Sequence, residues 1–159
     1  MNSCIYKSPI GLLNICEENN KLTQLHLLQN ESEASLSQSF THHSDLLYEA
    51  YKQLDEYFKG KRRQFDLPLS YAGTPFQQRV WEELQKIPYG ETRSYEEIAI
   101  GAGSPKAVRA VGQANHKNPI MIVIPCHRVI HKNGDIEGFG CGTAVKKYLL
   151  DLERGGSNI

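Results

Sequence analysis

Four cysteines, at positions 4, 16, 126 and 141, are the residues of this chain best suited to covalent chemistry. No two form a C-x-x-C pair, so their spacing indicates neither a disulfide framework nor a zinc ribbon, and a reducing compartment keeps all four as thiols. Cys126 stands apart in its surroundings: an apolar run at 120–124 and Pro125 precede it, and His127 and Arg128 follow directly. A thiol attacks as its thiolate, and nearby basic or cationic groups favour that form. Adjacency in a chain does not make two side chains face each other. Residue types alone therefore leave Cys126 with two readings, an activated nucleophile or a quiet buried thiol.

Charge gives the nucleophile a context. The 159 residues carry no formal net charge, with ordinary globular fractions of apolar and charged residues. Residues 1–70 sum to −2 and residues 71–159 to +2, and no acidic residue occurs between Ile98 and Gly134. That stretch holds Lys106, Arg109, Lys117, Arg128 and Lys132 with His116, His127 and His131, a pattern that suits phosphate binding as well as a solvated face. No apolar run approaches the ~20 residues that cross a bilayer. The first residues lack the basic start and apolar stretch of a signal peptide, so the expected location is the cytoplasm, or the nucleus if the source has one.

The elements that must position this chemistry are legible in outline. Gly11-Leu12-Leu13-Asn14-Ile15-Cys16 and Leu22-Thr23-Gln24-Leu25-His26-Leu27, separated by the polar 17–20, predict a hairpin. Residues 29–44 read as loop. Leu46, Leu47, Ala50, Tyr51, Leu54, Tyr57 and Phe58 predict an amphipathic helix over 45–58, and 64–69 a further strand. Thr74-Pro75-Phe76-Gln77 and Ser94-Tyr95-Glu96-Glu97 are capping boxes, each opening a helix. The first carries the stripe Phe76, Val80, Leu84 and Ile87. Ser104-Pro105 is expected to open a third helix, running to His116, with Val108 and Val111 toward the core and Lys106, Arg109, Gln113 and His116 on one face. Two short helices joined by a glycine turn have the form of a helix-turn-helix. The run 120–124 predicts a buried strand or core segment, 138–142 a glycine-rich loop, and 144–153 a last helix with Val145, Tyr148, Leu149 and Leu152 inward. The expected class is α+β: residues 1–70 a small α/β domain with a short antiparallel sheet, residues 71–159 a mainly helical domain with a winged-helix-like helix-turn-helix.

Ile124-Pro125-Cys126-His127-Arg128-Val129-Ile130 resembles the active-site signature of the O6-alkylguanine-DNA alkyltransferases, the methylated-DNA–protein-cysteine methyltransferases. Gly90-Glu91-Thr92-Arg93-Ser94-Tyr95 is similar to the family's approach to its first helix-turn-helix helix. Arg109-Ala110-Val111-Gly112-Gln113-Ala114-Asn115 with Asn118-Pro119 resembles its recognition helix and the turn after it. Gly138-Phe139, Lys146, Leu149-Leu150 and Glu153 resemble its C-terminal loop and helix. These blocks follow the family's order and spacing across 74–154; residues 1–70 resemble it only loosely, through an opening at Ser8-Pro9-Ile10-Gly11.

The resemblance implies DNA repair by direct reversal: the alkyl group of O6-alkylguanine in duplex DNA, and of O4-alkylthymine as a candidate second lesion, passes irreversibly to Cys126. It implies that His127 takes the thiol proton through a water, that Glu153 orients His127, and that Tyr95 assists base rotation and donates a proton to the leaving guanine. Asn118 holds the turn before the active site. DNA contacts fall to Arg109, as the finger that fills the space of the rotated base, and to Tyr95, Ala107, Ala110, Gln113, Ala114, Asn115 and Arg128, in the minor groove. Phe139, Gly140, Cys141 and Pro119 line the guanine pocket. The lesion supplies the alkyl group, so no cofactor is expected, and the protein is expected to act as a monomer. Phe139 stands where relatives often have Tyr, and Cys141 where a small residue is common. Cys141 is accordingly expected to narrow the pocket or to form an oxidative bond to Cys126. Cys4, Cys16, His26, His42 and His43 do not match a four-ligand spacing, so no zinc is expected. A non-catalytic binder of alkylated guanine is disfavoured by Cys126, a plain helix-turn-helix regulator leaves Pro125-Cys126-His127-Arg128 unexplained, and a cysteine hydrolase leaves the DNA-binding unit unexplained.

Overall fold

Apolar alternation interrupted by a tight turn at Asn19-Asn20 shapes the first of two compact units, Met1–Tyr71 and Ala72–Ile159. A computed structural model describes residues 2–28, 44–136 and 142–155. Strands β1 (Asn2–Ser8), β2 (Gly11–Glu18) and β3 (Lys21–Leu27) form an antiparallel meander with β2 in the centre. The turn between β2 and β3 is tight because Asn19 and Asn20 both adopt positive φ, 53° and 64°, the handedness that matches strand twist and that Asn tolerates. The hairpin expected from the sequence is present, with β1 as a third strand. Helix α1 (Asp45–Phe58) is capped by Ser44, whose side chain accepts from Leu47 N at 3.1 Å. It packs on β1 and β2, burying Leu47, Leu54 and Tyr57 with Leu13 and Ile15. Tyr51, expected in its apolar stripe, instead lies on the open side and meets Tyr6 edge-on at 4.9 Å. The strand expected at 64–69 reduces to one bridge between Leu22 and Leu69. Pro68 has no N–H to extend a ladder, although its carbonyl accepts from Leu22 N at 2.8 Å. The expected loop at 29–44 lies outside the described residues except for Ser44.

In the second unit, α2 (Pro75–Leu84) and α3 (Tyr95–Gly101) open with complete capping boxes at Thr74/Gln77 and Ser94/Glu97, as the sequence predicts. A two-residue strand β4 (Arg93–Ser94) precedes α3 and pairs in parallel with β5 (Val129–Ile130). Helix α4 (Val108–His116) begins three residues later than expected. Ser104 and Pro105 close a separate turn, in which Ala107 N donates to Ser104 O at 2.9 Å, and Ala107 then leaves helical geometry with ψ 38°. Val108 consequently points outward rather than into the core, while Val111 is buried as expected. Helices α2, α3 and α4 pack on one another. Trp81 of α2 ties this arrangement together: its indole Nε1 donates to Ala114 O of α4 at 2.9 Å in the interior.

The run 120–124 is buried, but it is not a strand. It folds into consecutive tight turns: Val123 N donates to Met121 O at 2.8 Å, and Cys126 N to Ile124 O at 2.8 Å. The first turn forces Ile122 to φ 72°, a strained conformation for a β-branched residue. Helix α5 (Thr143–Glu153) completes the unit; Leu149 and Leu152 face inward as expected, Val145 and Tyr148 only partly, and Lys146 and Glu153 are buried with the leucines. Replacing Trp81 by Phe removes the α2–α4 hydrogen bond while keeping an aromatic ring. The expected cost is about 1–3 kcal/mol, because Ala114 O loses a buried donor. Urea denaturation of the variant measures it, and an unchanged midpoint would show that the indole bond does not hold α4.

Candidate active site

The tight turns at 120–125 deliver Cys126 to the start of a single 3-10 turn, Cys126–Arg128. Asn118 clamps both ends of the approach: its Oδ1 accepts from Ile120 N at 3.0 Å and its Nδ2 donates to Ile124 O at 2.7 Å. Asn118 therefore holds the backbone before the nucleophile and does not reach the thiol through these bonds. Cys126 is 3% exposed and is not in a disulfide. Its carbonyl accepts from Asn115 Nδ2 at 3.3 Å.

His127 is fully buried, with Nε2 2.6 Å from Glu153 Oε2. Arg128 grips the same carboxylate as a fork, Nε on Oε1 at 2.8 Å and Nη2 on Oε2 at 3.0 Å, and gives Nη1 to Ile87 O at 2.7 Å. Gly90 N adds a further donor to Oε1 at 3.2 Å. At φ 81°, Gly90 takes a conformation that side chains disfavour, and an added Cβ would sit 3.3 Å from Glu153 O. Burial alone would raise the Glu153 carboxyl, but the bonds and charges of His127 and Arg128 overrule it and hold it well below the usual carboxylate range. Burial pushes the His127 imidazole down against the pull of Glu153, with the cations of Arg128 and Lys146 also pressing it down. A neutral ring facing an ionised carboxylate places its proton on Nε2. Nδ1 then carries a lone pair; it is buried and makes no hydrogen bond to protein. That is the form of a general base oriented by an acid.

Two further side chains complete the surroundings of Cys126. Tyr95 opens α3 and is buried; burial, and then the charge on Cys126, push its hydroxyl up. Lys146 of α5 is wholly buried, donates from Nζ to Val129 O, and sets Nζ 5.7 Å from the Tyr95 ring centroid. Burial lowers it to about 8, opposed by the charges of Cys126 and Asp135. The sequence marked Lys146 only as part of a motif. Its spacing to Leu149, Leu150 and Glu153 is that of one helix face, and that was the signal for an inward cation.

On α4, Arg109 and Gln113 are exposed, and Ala107 and Ala110 are half-exposed beside them. Ala114, Asn115 and Arg128, expected to touch DNA, are instead buried. Ala114 receives Trp81, Asn115 supports the Cys126 carbonyl, and Arg128 is committed to Glu153 and Ile87. Pro119 is half-buried beside the Asn118 clamp. Phe139, Gly140 and Cys141 lie outside the described residues, as do His42 and His43. In the first unit, burial and neighbouring Cys16 push the Cys4 thiol up to about 11.

Two family models cover almost the whole chain: the 6-O-methylguanine DNA methyltransferase ribonuclease-like domain over residues 3–71, and the DNA binding domain of the same family over residues 75–155. The chain belongs to this family. Among its curated relatives, the constitutive methylated-DNA–protein-cysteine methyltransferase of Bacillus subtilis is 51% identical over 152 residues, covering 93% of this chain and 92% of that protein. The methylated-DNA–protein-cysteine methyltransferase of Methanosarcina acetivorans is 42% identical, covering 96% and 98%. The crystal structure of Mycobacterium tuberculosis OGT in complex with DNA superposes with a TM-score of 0.87 at 44% identity, covering 98% of this chain and 94% of that one. The two-domain fold of the family is the fold described above.

Lys146 makes a pH-dependent prediction. Its folded value of about 8 lies below the 10.5 of an ordinary lysine. Below pH 8 both folded and unfolded chains hold the proton, and the burial cost is present in full. As pH rises past 8 the folded chain sheds the proton first and the cost fades. Wild-type stability relative to Lys146→Met should therefore rise by about 2–3 kcal/mol between pH 7.5 and 10.5. Paired urea titrations across that range measure the difference, and a constant offset would show that Lys146 does not titrate there.

Proposed function

We propose that this protein repairs DNA by direct damage reversal, moving the alkyl group of O6-alkylguanine irreversibly to the sulfur of Cys126. The observation that carries the reading is the buried His127–Glu153 pair, whose geometry leaves Nδ1 of His127 as a lone-pair acceptor one residue from the thiol. In this scheme Nδ1 takes the Cys126 proton through a water, and the thiolate attacks the alkyl carbon in line. The C–S bond forms as the C–O6 bond breaks, and its electron pair withdraws into the purine. Tyr95 donates its proton to the departing guanine, and the proton first lodged on His127 restores the phenol. No cofactor enters this balance, since the lesion itself carries the group transferred.

A thiol this enclosed is beyond the reach of a base stacked in a duplex, so the damaged guanine rotates out of the helix to meet it. The exposed face of α4 supplies the docking surface, with Arg109 filling the vacated space, Gln113 beside it, and Ala107 and Ala110 permitting close approach to the minor groove. Residues 71–159 thus combine DNA binding and alkyl acceptance, and residues 1–70 form the accessory domain. Pro119, with Phe139, Gly140 and Cys141, lines the guanine pocket; O4-alkylthymine is a second candidate lesion. We assign the protein as a monomer of the cytoplasm, or of the nucleus in a cell that has one. Among the described residues no helix is long and apolar enough to cross a membrane.

The test is intact-protein and peptide mass spectrometry after mixing equimolar protein with a duplex containing one O6-methylguanine. The expected result is a single methyl on the Cys126 peptide, restored guanine in the DNA, and no second turnover. Cys126→Ser should bind the duplex and leave the lesion in place. Tight binding by the wild-type protein without modification would move it to the class of lesion binders.

A further inference from the structure

The parallel register of β4 and β5 sets Arg93 beside Val129 and Ser94 beside Ile130. The next residues on the two strands are Tyr95 and His131, and their rings meet with centroids 4.9 Å apart and planes tilted by 41°. Tyr95 is buried, whereas His131 lies at the surface. A surface imidazole gains little from burial, yet this one is held in place by its own turn. His131 N donates to Asp135 O at 2.9 Å, Gly134 N donates to His131 O at 2.8 Å, and Asp135 N donates to Asn133 Oδ1 at 3.0 Å. The same turn meets α3 a second time, where Lys132 Nζ lies 3.6 Å from Glu96 Oε2. Lys146 reaches the Tyr95 ring from α5, its Nζ 5.7 Å from the centroid and bonded to Val129 O of β5. Ring contacts of this kind have preferred geometries, so they fix orientation as well as distance.

We infer that His131 is a positioning residue for the proton donor: its ring fixes the plane of Tyr95, and with it the line along which the phenol O–H meets the departing guanine. The inference rests on the functional reading above and extends it. A phenol proton lies near the plane of its ring, and a hydrogen bond weakens steeply as donor and acceptor leave alignment, so the ring plane decides how well the proton is delivered. The chain from the nucleophile to His131 is continuous: the 3-10 turn Cys126–Arg128, then Val129–Ile130 as β5, then His131. The backbone that carries the attacking sulfur therefore also carries the ring that aligns the acid, and β4 delivers Tyr95 to it. The base is set separately, by Glu153 of α5.

The experiment is a double-mutant cycle in single-turnover transfer from an O6-methylguanine duplex at saturating protein, using wild type, His131→Ala, Tyr95→Phe and the double variant, with His131→Phe beside them. His131→Ala should slow the saturated rate about tenfold, a fraction of the ~10²–10⁴ that positioned acid–base catalysis supplies. His131→Phe keeps a ring over Tyr95 and should stay within about twofold of wild type. In the Tyr95→Phe background, followed over long incubations, His131→Ala should cost less than about twofold, because no hydroxyl remains to be aligned. Urea denaturation separates this from packing: the ring contact survives Tyr95→Phe, so His131→Ala should lower stability equally in both backgrounds. Equal slowing in both backgrounds, or a His131→Phe variant as slow as His131→Ala, would overturn the assignment and leave His131 a packing residue. A changed half-saturating concentration with an unchanged saturated rate would overturn it too, and make His131 a DNA contact. Tyr95→Phe transferring as fast as wild type would remove the donor role on which the inference depends. A wild-type protein that leaves the lesion intact would instead remove the functional reading, and this inference with it.

Discussion

The carboxylate of Glu153 is the constraint on which the second unit is organised. An ionised carboxylate in the interior is tolerated only when its lone pairs are met by donors of matching geometry. Here His127, Arg128 and Gly90 N meet it together. Arg128 suits the role where lysine would not: its planar fork covers both oxygens and still leaves an N–H for Ile87 O. This arrangement also settles protonation. Glu153 draws a proton toward His127, but burial, joined by the cations of Arg128 and Lys146, outweighs that pull and keeps the ring neutral. A neutral imidazole is what a base needs to be. The same three residues bind α5, the 3-10 turn and the backbone at 87–90 into one block, so the chemistry and the stability of this unit draw on one set of bonds.

Around that block the nucleophile is set by backbone. Asn118 closes the two ends of a run of tight turns, and within it Ile122 is held in a region that β-branched residues avoid. Strain of this kind persists only where the surroundings over-determine it. The surroundings here are the interior that buries Ile120, Ile122 and Ile124, together with the Asn118 clamp. The product is a cysteine at the head of a short turn, its carbonyl held by Asn115 and its neighbour His127 aimed into the interior.

Local signals were legible in the sequence because their physics is local. The two capping boxes, the Asn19-Asn20 turn and the stripe of α1 are decided by residues a few positions apart, and each reads directly as structure. Signals that depend on burial did not transfer in the same way. Arg128 and Asn115 are polar residues in a stretch without acids, which reads as a DNA-facing surface, yet their partners, Glu153, Ile87 O and Cys126 O, lie 11 to 41 positions away. The run 120–124 is apolar enough for a strand, but a strand would have carried Cys126 past the cluster. Only the turn after Met121, invisible to hydropathy, brings it back. The pairing of His127 with Glu153 came from the resemblance rather than from the residues, since a carboxylate 26 positions away has no periodic relation to the histidine it orients.

The proposed reaction follows from which protons this site can move and which bonds it cannot break. In the proposed scheme His127 and Tyr95 move the protons, Glu153 orients His127, and Lys146 lies close enough for its charge to act on Cys126. That inventory removes one proton from a thiol and gives one to a purine. Once sulfur carries an alkyl group the thioether has no proton to lose and is a poor leaving group, and none of these residues offers a stronger nucleophile than the thiolate already spent. The enclosure that keeps His127 neutral also limits access of outside thiols to Cys126, which is 3% exposed. Single use is therefore a property of the thioether itself, a bond that the side chains of this proposed site have no means to break.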